Sequence, residues 1–401
     1  MASSNTLLTP TIIAKEALMQ LTNSMVMGRH VYTAYKNEFV KVGTSVTIRK
    51  PNKFRATKAQ ARTNTNLSEP STTITMTTQA HVSWAFSSVE LTTTIEDYSK
   101  RYIAPAAAAL ANQVDYDLTL LYKDVYNYAG TPGTTPATFK VIGDCQTVLD
   151  LECAPQDQRV AVLEPTAHWS LADGLKGTFA QKTASDIMTK GYLGTIGNLH
   201  FYMDQNIQRH TTGAFTSGAT PLMNGSTATG ATTFVTNGWG GSNTVTAGDI
   251  FTVAATNQVN TMSGVSTGVL HKWVVRTTTA DVSADMTIPV APTIVFAATG
   301  NLAYDNVDAL PLTTAALTFV GTASTAYPQN LVFHPNAFAL VTVPIEMPSN
   351  VWGARETDSD MGLSIRVVKQ YDIDADEEII RLDILYGTKT LYPELCVRLW
   401  G

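Results

Sequence analysis

The sequence predicts an α+β host interrupted by an all-β domain, and three observations carry that expectation. Residues 211–330 hold seven charged side chains (Asp249, Lys272, Arg276, Asp281, Asp285, Asp305 and Asp308), whereas the 15% charged content of the whole chain would place about eighteen there. The block is built from Thr, Gly, Ala, Ser and Asn around β-branched runs at 232–236, 249–254, 270–277, 286–296 and 316–320, with turn residues between them at spacings that suit a barrel or a sandwich. On either side the charge density is ordinary, and helical and two-residue apolar periods alternate. One domain is therefore inserted into another.

Composition sets the outer limits. At 401 residues, 44% apolar and with mean hydropathy near zero, the chain is expected to hold two or three domains with real cores, which excludes a disordered chain. A net charge of −6 and a pI near 5.6 argue against coating nucleic acid with the whole surface, although a local basic stretch fits within an acidic chain. Cys145, Cys153 and Cys396 show no C-x-x-C pair and no metal-type spacing, so they read as thiols of a reducing compartment. Residues 1–11 lack the basic and apolar regions of a secretory signal. The longest near-apolar run, 103–111, contains Pro105 and falls far short of the roughly 20 residues a membrane helix needs. The expectation is a soluble protein made and used in a cytoplasm.

Along the chain, Thr9 and Pro10 read as an N-cap and first helical position. Ile13, Ala17, Leu21 and Met25 then recur every four residues, giving an amphipathic helix that packs on its own domain or docks on a neighbour. Between residues 36 and 62, Lys36, Lys41, Arg49, Lys50, Lys53, Arg55, Lys58 and Arg62 face Glu38 alone. Alternating segments at 42–50 and 72–78 flank the irregular stretch 51–66, which suggests two polar strands joined by a long basic tip. Such a hairpin is marginal in water unless it lies on something else. It reads either as a solvated loop or as an arm whose cations meet carboxylates or phosphates.

Ile103, Ala107, Leu110, Val114, Leu118, Leu121 and Val125 predict a spine helix of about seven turns, roughly 40 Å long at 1.5 Å per residue, ending near Gly130 and Pro132. Pro105 marks either its true start or a kink. Asp115 and Asp117, two apart, do not share a helix face, which argues against a paired-carboxylate site. Beyond Gly143 the expectations are a helix at 144–151, a buried strand at 159–163, a helix at 168–175 and a strand at 199–203. After the insert, strand character resumes at 331–343. Two alternating strands, 364–371 and 378–385, flank an acidic turn at 372–377, and the chain closes over 386–399.

No catalytic constellation emerges. Gly264-Val265-Ser266-Thr267-Gly268 matches the nucleophile-elbow pattern, but that mechanism needs a strand-to-helix turn and 269–277 reads as a strand. Asp372-Ile373-Asp374-Ala375-Asp376 resembles the start of a calcium loop, yet Glu377 stands where an EF-hand needs glycine. The seven histidines form no i, i+4 pair and no H-E-x-x-H. The glycine-rich stretch 191–197 lacks the Lys-Ser/Thr of a phosphate loop and reads as a helix-to-strand connection. No metal or cofactor is expected.

The collinear parts resemble the major capsid (coat) proteins of tailed double-stranded-DNA bacteriophages, of the short-tailed P-twenty-two type with an inserted domain. The matching stretches are Asp97-Tyr98-Ser99 through Ala104-Pro105-Ala106 to Leu110-Ala111-Asn112 and Val114-Asp115; Lys190-Gly191-Tyr192-Leu193-Gly194 leading to Phe201-Tyr202; Ala247-Gly248-Asp249-Ile250-Phe251-Thr252; Leu331-Val332-Phe333-His334 with Ala337-Phe338; and Tyr386-Gly387. The resemblance implies an HK-ninety-seven-like (Johnson) capsid fold with an inserted all-β barrel. Its parts would be an N-arm (1–45), an extended loop (46–90), a peripheral domain with the spine helix (91–140), an axial domain (141–210 and 331–401) and the insert (211–330). It further implies a non-enzymatic subunit that forms pentamers and hexamers of an icosahedral shell. The implied partners are scaffolding protein, portal protein and packaged double-stranded DNA bound without sequence specificity, with no membrane. Assembly would take place in the bacterial host cytoplasm, and the final location would be the virion capsid.

The charges suggest where subunits meet. Arg49, Lys50, Lys53, Arg55, Lys58 and Arg62 are expected to cross a neighbouring subunit that offers Asp372, Asp374, Asp376 and Glu377. Each exposed pair contributes about 0–1 kcal/mol, and its value lies in repetition around a symmetric shell. Two other classes fit less of the chain. A tail, fibre or decoration protein would leave the spine helix and split host unexplained, and a hydrolase with a carbohydrate-binding insert would need a nucleophile better placed than Ser266.

Overall fold

The structure, a computed structural model, describes residues 10–34, 45–56, 58, 60–62, 69–87, 99–175, 193–215, 220–297, 302–349, 351–358 and 362–401. The expected N-cap Thr9 lies outside them. The chain divides into two compact units.

The first unit comprises Met1–Ile48, Thr72–Thr119 and Phe338–Lys389. Its N-terminal helix, Pro10–Ser24, buries Ile13, Ala14, Ala17 and Leu21. That stripe packs on the spine helix and on strands Trp352–Thr357 and Ser364–Asp372. The regular spine helix is Ala104–Thr119, about 24 Å at 1.5 Å per residue, and so shorter than the sequence predicts. A π-helical turn, Ser99–Ile103, precedes it. Pro105 lies at the point where that π-helical turn passes into the α-helix, one residue inside the α-helical segment. The apolar spacing through Leu121 and Val125 is real, but the backbone there tightens into the 3-10 turn Leu120–Asp124, which belongs to the second unit.

The sheet of this unit is organised by the long strand Glu377–Thr390. On one side it pairs with Ser364–Asp372 (Gln370 opposite Ile379), and on the other with Thr78–Ser87 (Ala85 opposite Ile379), both antiparallel. Trp352–Thr357 extends the sheet beyond Ser364–Asp372, and Phe338–Thr342 also joins Glu377–Thr390. The acidic turn closes the hairpin between Ser364–Asp372 and Glu377–Thr390, as expected. The ten-residue strand Thr78–Ser87 was not expected, although Ala80, Val82, Trp84 and Phe86 alternate with polar or small neighbours. The short strands Ser45–Arg49 and Ser71–Thr75 pair at the base of the basic loop, with Thr47 and Thr73 hydroxyls 3.3 Å apart.

The second unit comprises Arg49–Ser71, Leu120–Ala337 and Thr390–Gly401. One six-stranded sheet runs in the order Tyr128–Ala129, Cys396–Leu399, Asn330–Phe333, Val160–Leu163, Leu199–Met203, Thr195–Ile196. It takes strands from both sides of the insert. Helices Phe139–Leu151 and Pro165–Leu175 cover it, adding Ile142, Cys145, Leu149, Ala167 and Leu171 to a core with Leu199, Val332 and Val397.

The insert resolves as a barrel. Its strands follow the order Leu317–Phe319, Ile250–Val259, Ser266–Val275, Met286–Ala291, Thr233–Asn237, Leu222–Met223. The two ends meet through an antiparallel bridge between Leu222 and Ala316, where Met223 N donates to Ala315 O and Leu317 N to Pro221 O, each at 2.9 Å. Closure leaves no open edge. The interior is aromatic, with Phe234, Trp239, Phe251 and Trp273 fully buried. Trp239 Nε1 donates to Thr236 Oγ1 at 2.8 Å, and that hydroxyl donates to Met286 O at 2.8 Å, so this indole and hydroxyl are satisfied, whereas Trp273 Nε1 is buried without a hydrogen-bond partner among the described residues.

Candidate assembly surfaces

The basic loop is held to its own unit over its first half. Lys50 Nζ donates to Leu391 O and lies 4.5 Å above the Tyr392 ring. Burial lowers its pKa, Glu394 opposes that fall and Lys53 adds to it. Tyr304 OH donates to Asn52 Oδ1 at 3.3 Å and accepts from Lys53 N at 3.2 Å. Arg55 Nη2 reaches Thr261 O at 3.5 Å, and its guanidinium lies where a side chain on Gly264 would stand. Arg49 pairs with Glu69 at 3.2 Å on an exposed surface. Lys53, Lys58 and Arg62 are exposed. Of the six cations singled out in the sequence, Lys50 and Arg55 thus act as anchors within the chain, while Lys53, Lys58 and Arg62 present charge outward.

The acidic turn is ordered by its own carboxylates. Asp372 Oδ1 accepts from Asp374 N at 3.0 Å, and Tyr371 OH donates to Asp376 Oδ1 at 2.6 Å. Asp376 adopts φ +53°, which Asp tolerates in a tight turn. Lys369 pairs with Glu378 just behind. At the tip Ile373 is 81% exposed.

Sequence reasoning missed a cavity of about 440 Å³ in the second unit, lined by Asn52, Lys53, Phe54, Glu152, Cys153, Met262, Tyr392, Glu394 and Leu395 among others. A smaller chamber of about 140 Å³ shares Lys53, Glu152, Thr261 and Glu394 with it and adds Tyr126 and His271. Glu152 Oε1 accepts from Tyr126 OH at 3.3 Å and from Asn127 Nδ2 at 3.2 Å. Burial, reinforced by Glu394, pushes the Glu152 carboxyl up to about 7. Lys272 Nζ donates to Tyr128 O at 3.0 Å, and burial brings its pKa down to about 8. Burial also pushes His271 down to about 3, so its ring is neutral. These residues come from four separated segments, and no local spacing announces them.

The weaker motifs find structural roles. Ser266 opens a barrel strand and donates to Asp308 Oδ2 at 2.8 Å; it does not sit on a strand-to-helix turn. Asp115 and Asp117 act separately, the first on the backbone of Val26 and Gly28, the second accepting from Tyr386 OH at 2.5 Å. Among the described residues no group of three or more His, Cys, Asp or Glu is placed to hold a metal, and no helix is long and apolar enough to cross a membrane. The stretches Asp97-Tyr98 and Lys190-Gly191-Tyr192, and part of the glycine-rich segment 191–197, lie outside the described residues.

A helix-and-sheet host split by a closed barrel, with a long basic loop, is the frame of a viral-coat subunit. The fold is similar to that of a chain from Mycobacterium phage Che8, with TM-score 0.50 and 13% identity over 93% of this chain and 90% of that one. Also similar are the capsid of Ralstonia phage GP4 (TM-score 0.43, 10% identity, 90% and 84% covered) and the CUS-3 coat protein I-domain (TM-score 0.21, 21% identity, 27% and 100% covered). No curated protein matches the chain. The signature of the P22 coat protein family, gene protein 5, spans residues 1–401, and the chain belongs to that family. It is a major capsid protein of HK-ninety-seven-like fold with an inserted domain, a structural component of the virion capsid that associates with its own copies to form the shell.

Proposed function

We propose that the chain builds an icosahedral shell from pentamers and hexamers by laying its basic loop on the acidic turn of a neighbouring copy. The observation that carries this reading is the pairing of two exposed, opposite charge clusters on one chain. Lys53, Lys58 and Arg62 extend from a loop already anchored by Lys50 and Arg55, and Asp372, Asp374, Asp376 and Glu377 ring a hairpin tip. Each pair contributes about 0–1 kcal/mol, yet a closed shell repeats it at every equivalent interface. In this reading residues 1–45 are the N-arm, 46–90 the extended loop, 91–140 the peripheral domain, 141–210 with 331–401 the axial domain and 211–330 the insert. The subunit has no enzymatic role. It assembles in the host cytoplasm with scaffolding and portal proteins, and encloses double-stranded DNA without reading its sequence.

The test is the double reversal Lys53→Glu/Lys58→Glu, followed by sedimentation and electron microscopy of the expressed protein. Loss of closed shells with an unchanged circular dichroism spectrum is expected. Shells of normal yield would remove this contact. Contact with packaged DNA instead would show as nucleic-acid binding that falls steeply with salt.

A further inference from the structure

Two asparagines in the chain precede glycine, Asn224 and Asn237, and the barrel holds them differently. In an Asn-Gly pair the glycine amide reaches the preceding side chain easily, because no Cβ stands in the way. Asn224 is exposed and follows the closing strand Leu222–Met223. Its own N donates to Val235 O at 2.8 Å, but among the described residues the amides of 225–229 donate no hydrogen bond, and the next one tied is Gly230 N, to Ile294 O at 2.8 Å. Gly225 stands at φ +97°, and a side chain built there would meet nothing. Asn237 is the half-buried last residue of strand Thr233–Asn237, opposite Leu222. Beyond it Gly238 O accepts from Thr220 N at 3.1 Å, Trp239 N donates to Ala284 O at 3.2 Å, and a Cβ on Gly238 would come within 2.5 Å of Thr220 O. We propose that Asn224 is a site of spontaneous deamidation in the folded chain and that the strand protects Asn237.

The reaction needs water alone. Gly225 N attacks Asn224 Cγ, the bond from Cγ to the side-chain nitrogen breaks, and that nitrogen leaves as ammonia with the proton given up by Gly225 N. Water then opens the cyclic imide. Attack at Cγ yields aspartate; attack at the backbone carbonyl yields isoaspartate, whose main chain runs through Cβ and Cγ and is one atom longer. Either product adds a negative charge to an insert that is poor in charge. The longer backbone falls directly after Met223, whose N donates to Ala315 O at 2.9 Å and whose O accepts from Thr314 N at 2.8 Å. The modification therefore acts where the barrel closes. Selectivity comes from local opening: the 225–229 stretch has no amide bonds to break, whereas Asn237 must first leave its strand.

The full chain, folded or held in urea, is incubated at mildly alkaline pH and digested with chymotrypsin, which cuts at Phe234 between the two sites. Mass spectrometry against a fresh sample reads the amide-to-acid change at each. In the folded chain Asn224 is expected to convert about tenfold faster than Asn237, with isoaspartate the larger product, and in urea the two are expected to convert alike. An Asn224 that stays intact in the folded chain, or equal rates at both sites there, overturns the proposal. As a second measurement, the urea midpoint of the aged unaltered chain is expected to fall below that of the fresh one, while aged Asn224→Gln, whose longer side chain closes the ring poorly, keeps its midpoint. Equal losses in both chains overturn the link to barrel closure.

Discussion

His210 Nε2 lies 2.8 Å from Asp249 Oδ1, and both side chains are buried. His210 stands at the entry to the insert, and Asp249 precedes the barrel strand Ile250–Val259. The second carboxylate oxygen accepts from Gly213 N at 3.0 Å and Thr246 N at 2.7 Å, while His210 Nδ1 lies 3.1 Å from Tyr122 OH. One carboxylate thus fixes the point where the insert leaves its host. Asp249→Ala strands two backbone donors and a buried imidazole, and is expected to destabilise the monomer by about 2–4 kcal/mol. Urea unfolding checks this, and a midpoint equal to that of the unaltered protein would contradict it. Asp249→Asn, which keeps an acceptor, is expected to cost less.

Gly248 precedes that aspartate at φ +106°, and a side chain there would meet His210 Cε1 at 3.1 Å and Tyr122 Cε2 at 3.3 Å. Gly225, at φ +97°, faces open space. Alanine at either position is strained by its backbone, about 1–3 kcal/mol, but only Gly248→Ala also pushes on packed rings. Thermal unfolding is expected to rank Gly248→Ala below Gly225→Ala. The reverse order would show that the rings yield freely.

Much of the fold was legible because the insert differs in kind from its host. Low charge and regular turn spacing exposed the barrel strands, yet closure between Leu222 and Ala316 depends on a pairing far apart in sequence that no period encodes. The spine helix was overread because apolar spacing continues from Leu118 through Leu121 whether the backbone is α or 3-10. Strand Thr78–Ser87 was passed over because His81, Ser83 and Ala85 give its outer face little contrast. The basic loop and acidic turn stood out as charge clusters. The anchoring of Lys50 and Arg55, and the chamber around Glu152, arise from tertiary approach alone.

Asp115 ties the segment after the N-terminal helix to the spine, accepting from Val26 N at 2.6 Å and Gly28 N at 2.9 Å. Asp115→Ala is expected to cost about 2 kcal/mol and to speed tryptic cleavage at Arg29 several-fold, since charge-assisted hydrogen bonds to buried amides are among the stronger ones. Unchanged cleavage would mean that the apolar stripe of helix Pro10–Ser24 holds the segment by itself.

Glu152 and Lys272 give the second unit a stability that depends on pH in two windows. The unfolded chain releases the Glu152 proton near 4.5, while the folded chain keeps it to about 7, through burial first and Glu394 second, against hydrogen bonds from Asn127 and Tyr126 and the charge of Lys272. Between those values the folded state binds more protons, so this contribution falls as pH rises from about 4.5 to about 7 and then levels. Lys272 acts in the opposite sense: its ammonium is lost at about 8 when folded and at 10.5 when unfolded, so its contribution is lowest below about 8 and recovers as pH rises through that window. Glu152→Gln keeps the shape and removes the acid. It is expected to flatten the decline between pH 5 and 7 and to raise stability at pH 7.5 by ~1–2 kcal/mol, allowing for solvent screening of a residue that keeps part of its surface in water. Urea midpoints across pH 5–9 check both windows. A decline between pH 5 and 7 that persists in Glu152→Gln would assign it to other carboxyls and leave Glu152 ionised in the folded chain.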